Sequence, residues 1–331
     1  MCTSIAMFSE SGCCGRNLDL EVSFGEQVVI APRTYPFHFH ELEDLNDHHA
    51  LIGMANVASG QPLYAEAMNE HGLYMAGLNF PGNACYDRPD DRARYHAAPY
   101  ELIPWILGSC RNVTEAKALL SSFAPLARPF SLTTDGSRTL PLAELHWHIC
   151  DGSRALVLET TVDGVCLYED PIGVLTNNPP FPFHQMNLQQ YLGLSSTNPK
   201  CRFAENAGLR PFGEGMGALG LPGDASPASR YVKAAFHKLN SPLEKEETAQ
   251  VIQCFHILDA VQMVKGSVIT AQGRPDRTIY SCCITPCSMT YYYKTYEDPQ
   301  LHAVTMHPED RIGDRLQCFP LQTTPNILRI H

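Results

Sequence analysis

The chain opens with MCTSIAMFSESGCCGRNLDLE (residues 1–21), a segment whose pattern predicts two strands joined by a turn. Residues 2–8 have the apolar, β-branched composition of a strand, and a glycine-containing turn separates them from the start of a second strand at GRNLD. If the two strands pair as a hairpin, Arg16 and Asp19 come within reach of Cys2. A strand hairpin at the N-terminus therefore places a thiol beside a cation and a carboxylate.

Cys2 has chemistry that no other position offers. The initiator methionine is usually removed when a small residue follows it, which would leave Cys2 with both a thiol and a free α-amine. An α-amine has a pKa of about 7.7–8.0, so it can act as an uncharged base near neutral pH and take the proton of the thiol. A nucleophile paired with an N-terminal amine is an established route to covalent catalysis. The alternative is that one of 13 cysteines falls at position 2 by chance.

Arg16 and Asp19 strengthen the catalytic interpretation of Cys2. Both side chains are expected to face the thiol if the hairpin forms. A nearby guanidinium favours the thiolate, and a carboxylate can accept a hydrogen bond from the α-amine and hold it in place. Taken alone, the same two residues would also suit an ion pair at a surface turn.

Composition limits the class of protein and its partners. The 331 residues are 44% hydrophobic and 18% charged, as in a compact globular chain, and no internal repeat or linker divides residues 1–331, so one domain is expected. A formal net charge of −11 argues against nucleic acid or an anionic membrane surface as a partner.

The N-terminus and the cysteines indicate the compartment. The first residues lack a basic region and a long apolar region, so no signal peptide is expected, and no run of about 18 apolar residues predicts a membrane span. The cysteine count is odd and the spacings are irregular, which does not resemble a disulfide framework. A reducing cytoplasm is therefore predicted.

Helical patterns lie in the middle of the chain, and strand patterns lie on both sides of them and at both ends. Asp163-Gly164, a strong hairpin signal, separates two of the strands. This order predicts an α+β fold in which sheets pack together under helices, rather than a βαβ array. Helices are expected at 98–109, 113–123, 184–193, 227–240 and 244–264, and strands at 2–8, 27–32, 50–57, 73–80, 144–150, 155–161, 165–169 and in TIYSCCIT, SMTYYYKTY and LHAVTMH.

Several familiar motifs are absent or lack the context they need. The GxGxxG match at 215–220 follows no convincing strand, and the Pro222-Gly223 pair interrupts the helix it should open, so a loop is the better interpretation. No GxSxG elbow, CxxC pair or HExxH motif occurs, and no metal is predicted. Surface or core roles are expected for His38, His40, His146 and His148, and packing in the core is expected for Cys282, Cys283 and Cys287.

Longer blocks resemble one family. The segments MCTSIA, GRNLDLE, MNEHGLYMAGLNFPG, IGVLTNNP, GLPGDASPASRYVKAAF, FHILDAV and YYYKTYED are similar, in order, to the choloylglycine hydrolase family. That family contains bile salt hydrolases and penicillin V acylases and belongs to the N-terminal nucleophile hydrolases. The resemblance implies a four-layer αββα sandwich of two antiparallel sheets covered by helices, no metal or organic cofactor, and a homotetramer.

The resemblance assigns roles to six positions. Each holds the residue type that the family pattern requires, and Asn79 favours a bile salt hydrolase because the family's penicillin acylases tend to carry tyrosine there. The matched residues are Cys2 (nucleophile), Arg16 (the adjacent arginine), Asp19 (which orients the α-amine), Asn79 and Asn177 (oxyanion donors) and Arg230 (the remaining active-site arginine).

The implied reaction is hydrolysis of the amide bond of glycine- or taurine-conjugated bile acids through a Cys2 thioester. An apolar pocket suits a steroid, and its candidate lining residues are Leu18, Phe24, Leu63 and Tyr64. Residues 131–140 lie in a loop that is longer than the family pattern, which leaves the acyl preference open. Penicillin V acylase or another N-acyl amidase of the same fold is the alternative, and a non-catalytic steroid or lipid binder is a more remote one.

Overall fold

A computed structural model of the chain describes residues 1–9, 12–86, 93–133, 135–242 and 244–331. The strands are β1 (Cys2–Ala6), β2 (Cys14–Leu20), β3 (Gln27–Ala31), β4 (Leu51–Ala58), β5 (Gln61–Asn69), β6 (Tyr74–Asn79), β7 (Tyr95–Ala97), β8 (Phe123–Pro125), β9 (Leu145–Cys150), β10 (Ala155–Thr161), β11 (Gly164–Glu169), β12 (Val174–Leu175), β13 (Val268–Ile269), β14 (Pro275–Thr285), β15 (Thr290–Thr295), β16 (His302–Thr305) and β17 (Gln317–Pro320). The α-helices are α1 (Leu102–Ser109), α2 (Val113–Leu120), α3 (Phe181–Leu188), α4 (Pro227–Asn240) and α5 (Glu247–Asp259).

The first sheet is built around the N-terminal hairpin. Its strand order is β12-β1-β2-β14-β15-β16, with β13 paired to β14, and every pair is antiparallel. In the β1–β2 register Cys2 lies opposite Leu18 and Ser4 lies opposite Arg16. The first residues of the chain are thus fixed between two hydrogen-bonded neighbours.

The second sheet has the order β11-β10-β9-β6-β5-β4-β3-β17 and is also antiparallel. The hairpin predicted at Asp163-Gly164 is confirmed, since Thr161 pairs with Gly164 where β10 meets β11. Gly164 has a φ of 109°, a backbone conformation that residues with a Cβ atom rarely adopt.

Two apolar layers hold the sheets and helices together. The inner faces of the two sheets pack on each other in a cluster that also includes residues of α4 and α5, which cover the first sheet. A second cluster lies between the other face of the second sheet and helices α1 and α2. The order helix, sheet, sheet, helix confirms the α+β sandwich predicted above.

Some element boundaries differ from the sequence prediction. Strand β5 was not predicted, because Pro62 and a polar Glu66 interrupt the apolar pattern and a bulge shifts its register with β4. The helix predicted over 244–264 ends at Asp259, since the backbone N–H of Met263 bonds to the Thr278 hydroxyl instead of continuing the helix. Within the described residues no helix is long and apolar enough to cross a membrane.

Candidate active site

Cys2 begins β1 and is buried on the face of the first sheet that packs against the second sheet. Arg16 Nη2 donates to the Cys2 Sγ atom at 2.8 Å. The two side chains meet because Arg16 and Leu18, the partner of Cys2, are two residues apart on β2 and so share a face. The predicted proximity of thiol and guanidinium is present in the structure.

The Arg16 guanidinium is held in one orientation by three further acceptors. Its Nη1 donates to the carbonyl oxygens of Ala65 and Gly77, at 3.0 and 2.9 Å, and to Glu66 Oε2 at 3.1 Å. Burial alone would lower the pKa of Arg16, but the charges of Cys2 and Glu66 raise it well above its ordinary value. Arg16 is therefore a fixed cation beside the thiol.

Glu66 is a buried carboxylate that the sequence did not identify as part of the site. It accepts hydrogen bonds from the hydroxyl groups of Tyr280, at 2.8 Å to Oε2, and of Tyr291, at 2.5 Å to Oε1. Burial raises the pKa of Glu66, and the Arg16 charge and the two tyrosines act in the opposite direction. An isolated glutamate in an unpredicted strand gives no sequence signal, because its partners lie on β2, β14 and β15.

Asp19 does not face the thiol, contrary to the sequence prediction. It lies three residues after Arg16, and an odd separation in a strand puts side chains on opposite faces. Its Oδ1 accepts from the Thr278 hydroxyl at 2.6 Å, and burial raises the pKa of the carboxyl group. Asp19 Oδ2 is buried and has no hydrogen-bond partner among the described residues. The carboxylate nevertheless lies near the chain start, where the Met1 amine donates to the Asp19 carbonyl oxygen at 2.6 Å.

Asn177 and Arg230 close around the Cys2 backbone. The backbone N–H of Cys2 donates to Asn177 Oδ1 at 2.8 Å, and Arg230 Nη2 donates to the same oxygen at 2.7 Å. Arg230 Nη1 also donates to the Cys2 carbonyl oxygen at 2.5 Å. Asn177 reaches this position because β12, which ends two residues earlier, pairs with β1.

Asn79 ends β6 next to Asn177. Asn177 Nδ2 donates to the Asn79 carbonyl oxygen at 2.7 Å, which uses one of its two amide hydrogens. The Asn79 side chain is half-buried and makes no hydrogen bond to any residue that the structure describes. The structure thus brings together Cys2, Arg16, Asn177 and Arg230 directly, with the Asn79 backbone joined through Asn177.

Two buried histidines that sequence reasoning did not assign to the site support Asn177. His184 Nε2 donates to the Asn177 carbonyl oxygen at 2.8 Å, and His146 Nε2 donates to the Thr176 carbonyl oxygen at 3.0 Å. The His146 ring also stacks on Phe80, with ring centroids 4.3 Å apart. His146 was expected in a surface or core role, and the only earlier signal was its two-residue spacing from His148.

Replacing His184 tests this support. His184→Phe keeps an aromatic ring against Tyr231 but removes the donor to the Asn177 carbonyl, and we expect kcat to fall about tenfold with a smaller change in KM. His184→Gln supplies an amide N–H and should recover much of kcat. Steady-state kinetics and thermal unfolding of both variants separate a positioning role from a purely structural one. An unchanged kcat in the Phe variant contradicts the assignment.

The structure places the four predicted lining residues in two different parts of the molecule. Leu18 is buried opposite Cys2, and Phe24 packs at the edge of the same apolar cluster. Leu63 and Tyr64 instead line a cavity of about 160 Å³ beside Trp147. None of the six residues matched to the family pattern, all of which the structure describes, lines this cavity. Tyr64 belongs to the other apolar cluster, since it faces the α1 side of the second sheet.

The described part of the longer loop, residues 131–133 and 135–140, lies by the same cavity. Ser131 and Thr139 form an isolated bridge, and Leu140 is among the cavity's lining residues. The loop is thus adjacent to Leu63 and Tyr64, whose role in substrate contact stays a prediction.

Two stacked antiparallel sheets between helices, with a cysteine at the start of the first strand, define the fold class of the N-terminal nucleophile hydrolases. Residues 2–317 match the family model described as linear amide C–N hydrolases, choloylglycine hydrolase family. The chain belongs to this family, and it is an amide hydrolase.

The proteins compared below are similar to this chain over nearly its whole length. The chain is 41% identical to a bile salt hydrolase/transferase of Lactiplantibacillus plantarum, with 98% of each chain covered. A structure of the C2A mutant of a conjugated bile acid hydrolase from Clostridium perfringens superposes with a TM-score of 0.89 at 32% identity, covering 100% of both chains. A penicillin V acylase from Agrobacterium tumefaciens gives a TM-score of 0.75 at 16% identity, with 97% and 92% covered, which is similarity of fold alone.

Proposed function

We propose that this enzyme hydrolyses the amide bond of glycine- or taurine-conjugated bile acids. The names of the relatives that match over nearly the whole chain support the substrate. The observation that carries the chemistry is the 2.8 Å contact between Arg16 Nη2 and the Cys2 sulfur at the start of β1.

Cys2 acts as the nucleophile once Met1 is removed. Its nitrogen then becomes a free amine that has Asn177 Oδ1 as one acceptor, and we assign the buried, unpartnered Asp19 Oδ2 as the second. The amine takes the thiol proton, and Arg16 stabilises the resulting thiolate. The sulfur attacks the substrate carbonyl, and the protonated amine passes its proton to the departing glycine or taurine nitrogen.

Asn79 and Asn177 stabilise the oxyanion that forms during attack. The Asn79 amide has no competing partner among the described residues, and Asn177 keeps one amide hydrogen beyond the one bound to the Asn79 carbonyl. Arg230 fixes the Asn177 oxygen, so the amide cannot rotate freely. One preorganised donor of this kind contributes about 2.7–4 kcal/mol to the barrier reduction.

Water completes the reaction at the thioester. The Cys2 amine, neutral again after the first half-reaction, takes a proton from water as the hydroxide adds to the acyl carbon. The C–S bond then breaks and the protonated amine returns the proton to the sulfur, which releases the bile acid and restores the thiol. Apart from water and the substrate, the reaction uses only side chains and the terminal amine of this chain, and we propose no cofactor.

A direct comparison of substrates tests the assignment. We expect kcat/KM for glyco- or tauro-conjugated cholate to exceed that for penicillin V by at least about tenfold, or roughly 1.4 kcal/mol in the transition state. Apolar fit gives only about 1–3 kcal/mol per methylene, so the preference should be strong but incomplete. Release of the amine product measures both rates. Faster cleavage of penicillin V would reassign the enzyme to the acylase alternative.

We also infer a homotetramer in the cytoplasm from the family resemblance and the free cysteines. Large apolar side chains that are almost fully exposed support an assembly surface in the segment after α3. These are Leu192, Phe203 and Phe212, at 86%, 92% and 91% exposure.

A further inference from the structure

Three cysteines that lie far apart in sequence converge behind the N-terminal hairpin. Cys13 immediately precedes β2, Cys254 is in α5 and Cys283 is in β14, and all three are fully buried. Their Sγ atoms lie within 4.8 Å of one another. Cys283 pairs with Gly15 across the β2–β14 ladder, and a Cβ atom at Gly15 would lie only 2.8 Å from Cys254 Sγ. The glycine thus leaves room for this sulfur.

We propose that Cys13, Cys254 and Cys283 form a binding site for one Cu(I) ion. A metal–thiolate bond is about 2.3 Å long, so a trigonal three-sulfur site needs sulfur atoms roughly 4.0 Å apart, and the three sulfur atoms here all lie within 4.8 Å of one another. Soft sulfur ligands select Cu(I), zinc and iron–sulfur clusters, and of these zinc and the clusters take four ligands. This site is independent of the proposed amide hydrolysis.

The surroundings favour a three-coordinate monovalent ion over other metals. Among the described residues, no histidine or carboxylate joins the three thiols as a fourth ligand. Glu247 is a carboxylate whose charge acts on Cys13, but its Oε1 already accepts from Thr285, Ser288 and Tyr292. Structural Zn²⁺ sites have four ligands, whereas this site offers three. Mg²⁺ and Ca²⁺ prefer oxygen ligands, and this site offers only sulfur.

Copper binding at the cluster exchanges protons for the metal. Each thiol loses its proton as its sulfur bonds to Cu(I), because the thiolate is the ligating form. The protons pass to solvent, no electron is transferred, and copper stays Cu(I) throughout.

Competition with a chelator tests the site. All proteins carry Cys2→Ala, so that the N-terminal thiol cannot bind copper, and are titrated under anaerobic conditions with Cu(I) and bathocuproine disulfonate. We expect the parent to hold one tightly bound ion per chain and Cys13→Ala, Cys254→Ala and Cys283→Ala each to weaken its Kd by at least about 100-fold, the upper end of what losing an outer-shell partner costs. X-ray absorption of the parent should show three sulfur neighbours at about 2.3 Å.

Cys110→Ala is the matched control, because Cys110 is also buried but lies in the other apolar cluster. It should bind copper as the parent does. The proposal is overturned if the three cluster variants bind like this control, or if the parent holds no ion that resists the chelator. Should one variant fail to fold, as thermal unfolding would reveal, the other two still decide the question.

Discussion

Cys2→Ala is expected to reduce bile-salt hydrolysis by about four orders of magnitude or more, because removing a nucleophile from a unit of this kind leaves only oxyanion stabilisation and binding. The substitution removes one sulfur at the start of β1 and leaves the strand pairing with Leu18 intact. Initial rates with glycocholate, together with thermal unfolding, measure the effect on turnover and on the fold separately.

Cys2→Ser is expected to be nearly as damaging. A thiol has a pKa of about 8.5, whereas an alcohol is far harder to deprotonate, and the Arg16 guanidinium cannot close that gap. Cys110→Ala provides the control for loss of a buried thiol away from the site. Turnover in the alanine variant similar to that of the parent would remove Cys2 from the mechanism.

Local sequence signals predicted much of the fold. The hairpin at Asp163-Gly164 is confirmed because a dipeptide of this kind requires a tight turn whatever surrounds it. The bounds of α4, 227–240, agree with the sequence prediction because Ser226 caps its first turn and Pro227 suits the first helical position. Signals of this kind act over a few residues, so a single sequence contains them.

The supporting parts of the site depend on contacts that no local pattern shows. Glu66 meets Arg16 across the two sheets, 50 residues away in sequence, and His184 meets Asn177 over a seven-residue separation that includes the pair Pro179-Pro180. Neither residue stands in a recognisable motif. The orientation of Asp19 can be predicted from the sequence, since the alternation of side chains along a strand puts it on the opposite face from Arg16.

A chain that keeps Met1 is expected to be inactive, because in that state the Cys2 nitrogen is an amide. Its hydrogen donates to Asn177 Oδ1 at 2.8 Å, and an amide nitrogen cannot accept the thiol proton. The Met1 amine does not replace it, since it donates to the Asp19 carbonyl oxygen and lies 3.6 Å from Asp276 Oδ2. Catalysis should therefore appear only when Cys2 becomes the first residue.

The experiment uses one polypeptide in two states. A fusion whose protease site leaves Cys2 at the new N-terminus is assayed before and after cleavage, and intact mass confirms each state. Hydrolysis should rise at least about 1,000-fold on cleavage, within the range that acid–base and nucleophile activation together supply. A matched fusion that leaves one glycine before Cys2 keeps the amide and should stay inactive after the same cleavage. Equal activity in the glycine-extended chain would show that the thiol is activated by a group other than its own amine. Arg16 would then be the first candidate, because among the described residues it is the only side chain that forms a hydrogen bond to the sulfur.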